Sequence, residues 1–144
     1  MKREMLQEKQ IRELIRLAIG QLAFSYSPYS HFKVGAALLC ADGKIYTGCN
    51  IENAAFIPGD CAERTAFCKA VSEGEKTFRA ICIVGGKKGV LTGQTAPCGI
   101  CRQVMMEFCD PDDFEIILPT DETHYQIYTL KQLLPLGFGP DNLS

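Results

Sequence analysis

Apolar positions at Leu6, Ile11, Leu14, Ile15, Leu17, Ala18 and Leu22 recur at helical spacing, so residues 4–24 are expected to form an amphipathic helix. The stretch "SYSPYSH" (25–31) is rich in turn formers and breaks that pattern. "FKVGAALLCADGKIYTGCN" then reads as two strands joined by a tight turn at Ala41-Asp42-Gly43-Lys44. Residues 51–60 form a loop punctuated by Pro58-Gly59. From Cys61 the spacing of Ala62, Thr65, Ala66, Phe67, Ala70 and Val71 is helical again, and Gly74 supplies the stop. "FRAICIVGG" and "FEIILP" are unbroken apolar runs, as expected of strands buried on both faces. Pro97 marks the entry to a helix in "CGICRQVMMEF", "ETHYQIYT" is a short last strand, and "TLKQLLPLGF" closes with a helical turn.

The order α-β-β-α-β-α-β-β-α predicts an α/β protein with a layered α/β/α architecture. Residues 1–144 are expected to make a single domain around a mixed five-stranded sheet. The strands at Arg79 and Phe114 are joined through a helix and should run parallel. Only about six residues separate Pro119 from the strand near Gln126, which is hairpin length, so the last strand should be antiparallel.

Composition narrows the function. Apolar residues make up 47% of the chain and charged residues 22%, ordinary values for a globular protein. A formal charge of −2, with no basic run denser than Lys87-Lys88, excludes electrostatic capture of nucleic acid. The N-terminus lacks the apolar segment of a secretory signal and no apolar run reaches membrane-spanning length, so no membrane partner and a cytoplasmic location are expected. In a reducing compartment the eight cysteines then point to metal or catalytic use rather than to disulfides.

The chemistry concentrates in "GDCAERTAFCKAV" and "APCGICRQVMMEF", where Cys61 and the Cys98/Cys101 pair stand at the starts of two helices. Free N–H groups and the positive dipole end favour thiolates there. Three thiolates facing one point make a zinc site, and three protein ligands leave a fourth position open for water, the pattern of a catalytic zinc. Glu63, two residues beyond Cys61, is placed to move that water's proton. The spacing alone leaves rivals: a redox CxxC, or a closed structural zinc with Cys49 as fourth ligand. The first has no thioredoxin-like start before it, and the second leaves Glu63 and Arg64 without roles. The remaining cysteines, Cys40, Cys49, Cys68, Cys82 and Cys109, sit among apolar neighbours and are expected to be small buried hydrophobes.

A cysteine zinc with a non-ligand glutamate is the donor set of the zinc deaminases. The blocks "FKVGAALL", "GCNIENA", "CAERTA", "PCGICRQV" and "GFGPDNL", in that order over residues 10–143, resemble the small, three-cysteine, homotetrameric class of cytidine deaminase. The resemblance implies one zinc per chain on Cys61, Cys98 and Cys101, with Arg64 hydrogen-bonding the ligand thiolates. It implies hydrolytic deamination of cytidine and 2′-deoxycytidine, a step of pyrimidine salvage, by a zinc-bound hydroxide with Glu63 as proton shuttle. Asn50 and Glu52 would grip the ribose 3′-hydroxyl, Phe32 would pack on the pyrimidine, and Ala54 would join the substrate-binding set. Phe138 would reach the site of a neighbouring subunit, so the active sites of a homotetramer would be shared. Phe56 stands where many relatives have tyrosine, a departure that touches subunit contacts rather than chemistry. Two other readings remain: a deaminase of another cytosine nucleoside such as a nucleoside antibiotic, and a zinc-stabilised binding module without turnover.

Overall fold

In a computed structural model that describes residues 5–144, the elements are α1 (Glu8–Gln21), β1 (Phe32–Cys40), β2 (Ile45–Cys49), α2 (Ala62–Ser72), β3 (Phe78–Lys87), α3 (Gly99–Phe108), β4 (Glu115–Pro119), β5 (Tyr125–Thr129) and α4 (Leu130–Leu133). The strands form one sheet in the order β2-β1-β3-β4-β5. β3 and β4 pair in parallel through α3, with Ile81 opposite Ile116. The other neighbours are antiparallel, including the β4–β5 hairpin, where Ile117 faces Ile127.

Side chains alternate across the sheet as the two-residue period of a strand requires. Ala36, Leu38, Ile81, Ile83, Ile116 and Leu118 face a core shared with α2, α3 and α4. Ala37, Leu39, Ala80, Cys82, Val84 and Ile117 face α1, which contributes Ile11, Leu14, Ile15 and Ala18. The molecule is therefore α/β/α, as the strand and helix patterns predict. Phe67 of α2 meets Phe78 edge-on at 5.1 Å and stacks near Phe108 of α3 at 6.2 Å, so one aromatic cluster ties α2 to the sheet and to α3.

Gly48 on β2 allows the close approach that matters most for function. A Cβ there would fall 2.4 Å from the Ala62 carbonyl and 2.7 Å from the Ala66 amide. Only glycine lets the first turn of α2, and with it Cys61, lie directly on the strand.

Two expectations need correction. The first helix begins at Glu8, because the Gln7 N–H is capped by Gln10 Oε1 at 2.9 Å, and it gives way to a 3₁₀ turn at Leu22–Phe24. Leu6 is buried without being helical, and Glu4 lies outside the described residues. Cys68 is exposed on α2, whereas Cys40, Cys49, Cys82 and Cys109 are buried as expected. Its apolar neighbours in sequence, Phe67 and Ala66, face the core, while Cys68 points away one step round the helix.

Candidate active site

Two helix starts build the centre. Cys61 caps α2 and Cys98 caps α3, each with extended backbone, while Cys101 lies within the first turn of α3 and is buried. The Sγ atoms of Cys61 and Cys98 are 3.7 Å apart and those of Cys98 and Cys101 3.5 Å, with all three thiols free. Sulfurs sharing one tetrahedral zinc lie about 3.8 Å apart at ordinary zinc–sulfur lengths. The donor set therefore fits that ion in both chemistry and spacing. Among the described residues no fourth His, Cys, Asp or Glu joins this group. Cys49, the ligand a closed structural site would need, stays outside it.

The electrostatics favour the thiolate of Cys61. Cys61 is drawn down to about 5, chiefly by the Cys101 thiol beside it and then by Arg64, while Cys101 is pushed up, chiefly by Cys61 and then by burial. Arg64 donates from Nη2 to Cys61 Sγ at 3.7 Å, and its Nε lies 3.4 Å from Asp60 Oδ1 without hydrogen-bond geometry. Three thiolates on a divalent ion carry net negative charge, which opposes ionisation of a bound water. A guanidinium against the sulfur offsets it. Glu63, in the first turn of α2, is only 4% exposed, and burial pushes its carboxyl up to about 7. It is one of only two buried polar or charged residues among those described, so its place beside the thiols is unusual for a glutamate.

Of the other expected residues, Asn50, Glu52 and Phe32 are tied together where β2 ends and β1 begins. Asn50 follows β2, where its Oδ1 accepts from Ser25 Oγ at 2.5 Å and Val34 N at 2.9 Å, and its Nδ2 donates to Phe32 O at 2.8 Å. Glu52 accepts from Tyr29 N, Ser30 N and Ser30 Oγ, contacts that hold its carboxyl below the usual range, with the Ser30 hydroxyl the largest cause. Phe32 opens β1, partly exposed, and Ala54 is exposed in the 51–60 loop. Phe138 is no core residue. Its carbonyl accepts from Gln103 Nε2 of α3 at 2.8 Å and its ring is left 58% exposed.

Residues 8–114 match the model of the cytidine and deoxycytidylate deaminase zinc-binding region. The chain belongs to this deaminase family. It is 47% identical over 120 residues to the cytidine deaminase of Sporosarcina psychrophila, covering 83% of this chain and 85% of that protein. Identity to the cytidine deaminase of Halalkalibacterium halodurans is 44% over 131 residues, covering 91% and 96%. The crystal structure of cytidine deaminase from Burkholderia pseudomallei superposes with a TM-score of 0.80 at 40% identity, covering 92% of this chain and all of that one. The chain is thus a zinc-dependent hydrolytic enzyme with cytidine deaminase function. Among the described residues no helix is long and apolar enough to cross a membrane.

Several residues around this deaminase site are not singled out by sequence. Asp60 orients Arg64 and also lies 3.1 Å from Thr65 Oγ1, a pairing that the i, i+4 spacing of Asp60 and Arg64 could have revealed. Arg102 pins the entry of α3, donating from Nε to Pro97 O at 2.8 Å and from Nη1 to Leu133 O at 2.5 Å. Ser25 and Ser30 carried no signal beyond membership of a turn-forming stretch.

Proposed function

We propose that the chain hydrolyses cytidine and 2′-deoxycytidine to the corresponding uridines and ammonia. The observation that carries this reading is a buried carboxylate, Glu63, beside three thiols on two helix starts that no fourth His, Cys, Asp or Glu among the described residues joins. Cys61, Cys98 and Cys101 would hold one zinc per chain, and that ion supplies the Lewis acidity that makes water a nucleophile near neutral pH. Glu63 takes one proton from the attacking water and passes it to N3 of the ring, then takes the second from the resulting C4 hydroxyl and passes it to the departing amino group, so that a C4–N bond is exchanged for a C4–O bond and ammonia leaves. Arg64 draws charge from the Cys61 sulfur. Asn50 and Glu52 hold the ribose 3′-hydroxyl, Phe32 packs on the pyrimidine, and Ala54 lines the substrate. A free nucleoside substrate suits pyrimidine salvage in the cytoplasm.

The direct test is to incubate the purified chain with cytidine and follow ammonia release with the fall in cytidine absorbance. Turnover is expected. A chain that binds zinc and cytidine without releasing ammonia is a binding module, and one that turns over only a modified cytosine nucleoside has a different substrate.

Phe138 bears on assembly. Its carbonyl is held to α3 by Gln103 while its side chain stays exposed, which supports a site completed in a neighbouring subunit of a homotetramer. Aromatic stacking on a base contributes roughly 1–3 kcal/mol, so Phe138→Ala should lower kcat/KM by about 5- to 150-fold. Mixing Glu63→Gln subunits with Phe138→Ala subunits should give activity above that of either parent. No recovery despite proven subunit exchange would place Phe138 in its own chain's service.

A further inference from the structure

The hydrogen-bonding capacity of Asn50 and Glu52 is nearly used up inside the chain. An ionised carboxylate offers about four acceptor sites. On Glu52, Oε1 receives Tyr29 N at 3.0 Å and Ser30 N at 3.1 Å, and Oε2 receives Ser30 Oγ at 2.5 Å. One site remains, on Oε2. The amide of Asn50 offers two acceptor sites and two donor hydrogens. Ser25 Oγ and Val34 N fill both acceptor sites, and Phe32 O takes one hydrogen. One donor hydrogen remains. Ser30 Oγ also accepts from Phe32 N at 3.0 Å, so the same hydroxyl that fixes Glu52 fixes the start of β1.

We propose that Ser25 and Ser30 are positioning residues that determine sugar specificity: they reduce the Asn50/Glu52 pair to one free donor and one free acceptor, the complement of a single unmodified hydroxyl. A hydroxyl accepts from Asn50 and donates to Glu52. A phosphate ester on the same sugar oxygen has no proton to donate and sets negative charge against Glu52, so nucleosides carrying a 3′-phosphate are turned away at this point. The proposal rests on the reading that Asn50 and Glu52 face the ribose 3′-hydroxyl.

The test compares cytidine with 3′-deoxycytidine in Ser30→Ala, Ser30→Thr and Glu52→Gln, with zinc content and thermal midpoint as checks of folding. A hydrogen bond to a charged group is among the stronger ones, so Ser30→Ala should lower kcat/KM on cytidine by about 10- to 100-fold. On 3′-deoxycytidine the loss should stay within about threefold, and Ser30→Thr, which keeps the hydroxyl, should restore most of the cytidine activity. Equal losses on the two substrates from Ser30→Ala, or no loss on either, overturn the proposal while leaving the sugar reading intact if Glu52→Gln still discriminates. If Glu52→Gln treats both substrates alike, the sugar reading itself fails and the proposal with it.

Discussion

Glu63→Gln is expected to leave a folded, zinc-loaded protein whose kcat on cytidine is lower by about 10²–10⁴-fold or more. Glutamine has the size and shape of the residue it replaces, so the site at the start of α2, 4% exposed and flanked by Ala62 and Ala66, has no reason to repack. What disappears is the ability to take up and release a proton. A single acid/base group contributes on the order of 10²–10⁴-fold, and here one carboxylate serves two relays: from water to N3, and from the C4 hydroxyl to the leaving amine. The loss should therefore lie at the upper end of that range or beyond it. Zinc content by elemental analysis and kcat by absorbance decide the matter. Activity within about threefold of the native chain would mean that Glu63 is not the proton shuttle.

Cys101→Ala is expected to remove metal and activity together. Cys101 is 1% exposed and packs in the same core cluster as Met105 and Ala62, and its sulfur is 3.5 Å from that of Cys98. Without it only two thiols face the centre, too few to hold zinc against the chelating capacity of the medium. Cys82→Ala is the matched control. Cys82 is fully buried on the opposite face of the sheet, against α1, where desolvation alone pushes its thiol up. That variant should lose some stability from the cavity and keep its zinc. A Cys101→Ala protein with a full complement of zinc would contradict the ligand assignment.

The two substitutions probe the parts of the site most legible in the sequence, and the reason is physical. Metal ligation and helix capping are local: Cys61-x-Glu63 and Cys98-x-x-Cys101 place their donors within one helical turn, so spacing along the chain fixes spacing in space. The sheet was legible for a similar reason. Two buried strands joined by a helix must run parallel, and a connection as short as that from Pro119 to Tyr125 permits only a hairpin. What could not be read depends on contacts between distant segments. Ser30 meets Glu52 across 22 positions and Ser25 meets Asn50 across 25, and nothing in "SYSPYSH" distinguishes a serine that closes a turn from one that fixes a carboxylate. The fault at Cys68 is of another kind. Apolar neighbours in sequence do not share a helix face, because each residue is turned about 100° from the last. α1 starts later than the apolar pattern implies, because Leu6 continues that pattern past the point where the Gln10 side chain caps the helix.

The central claim is that cytidine turnover belongs to a zinc held by Cys61, Cys98 and Cys101. The most direct measurement strips the purified chain with a chelator and returns zinc in known steps, reading bound metal and cytidine deamination on the same sample. The account predicts that activity falls to background in the stripped protein and recovers linearly, reaching its plateau at one zinc per chain. Full deamination of cytidine by protein free of metal would contradict it.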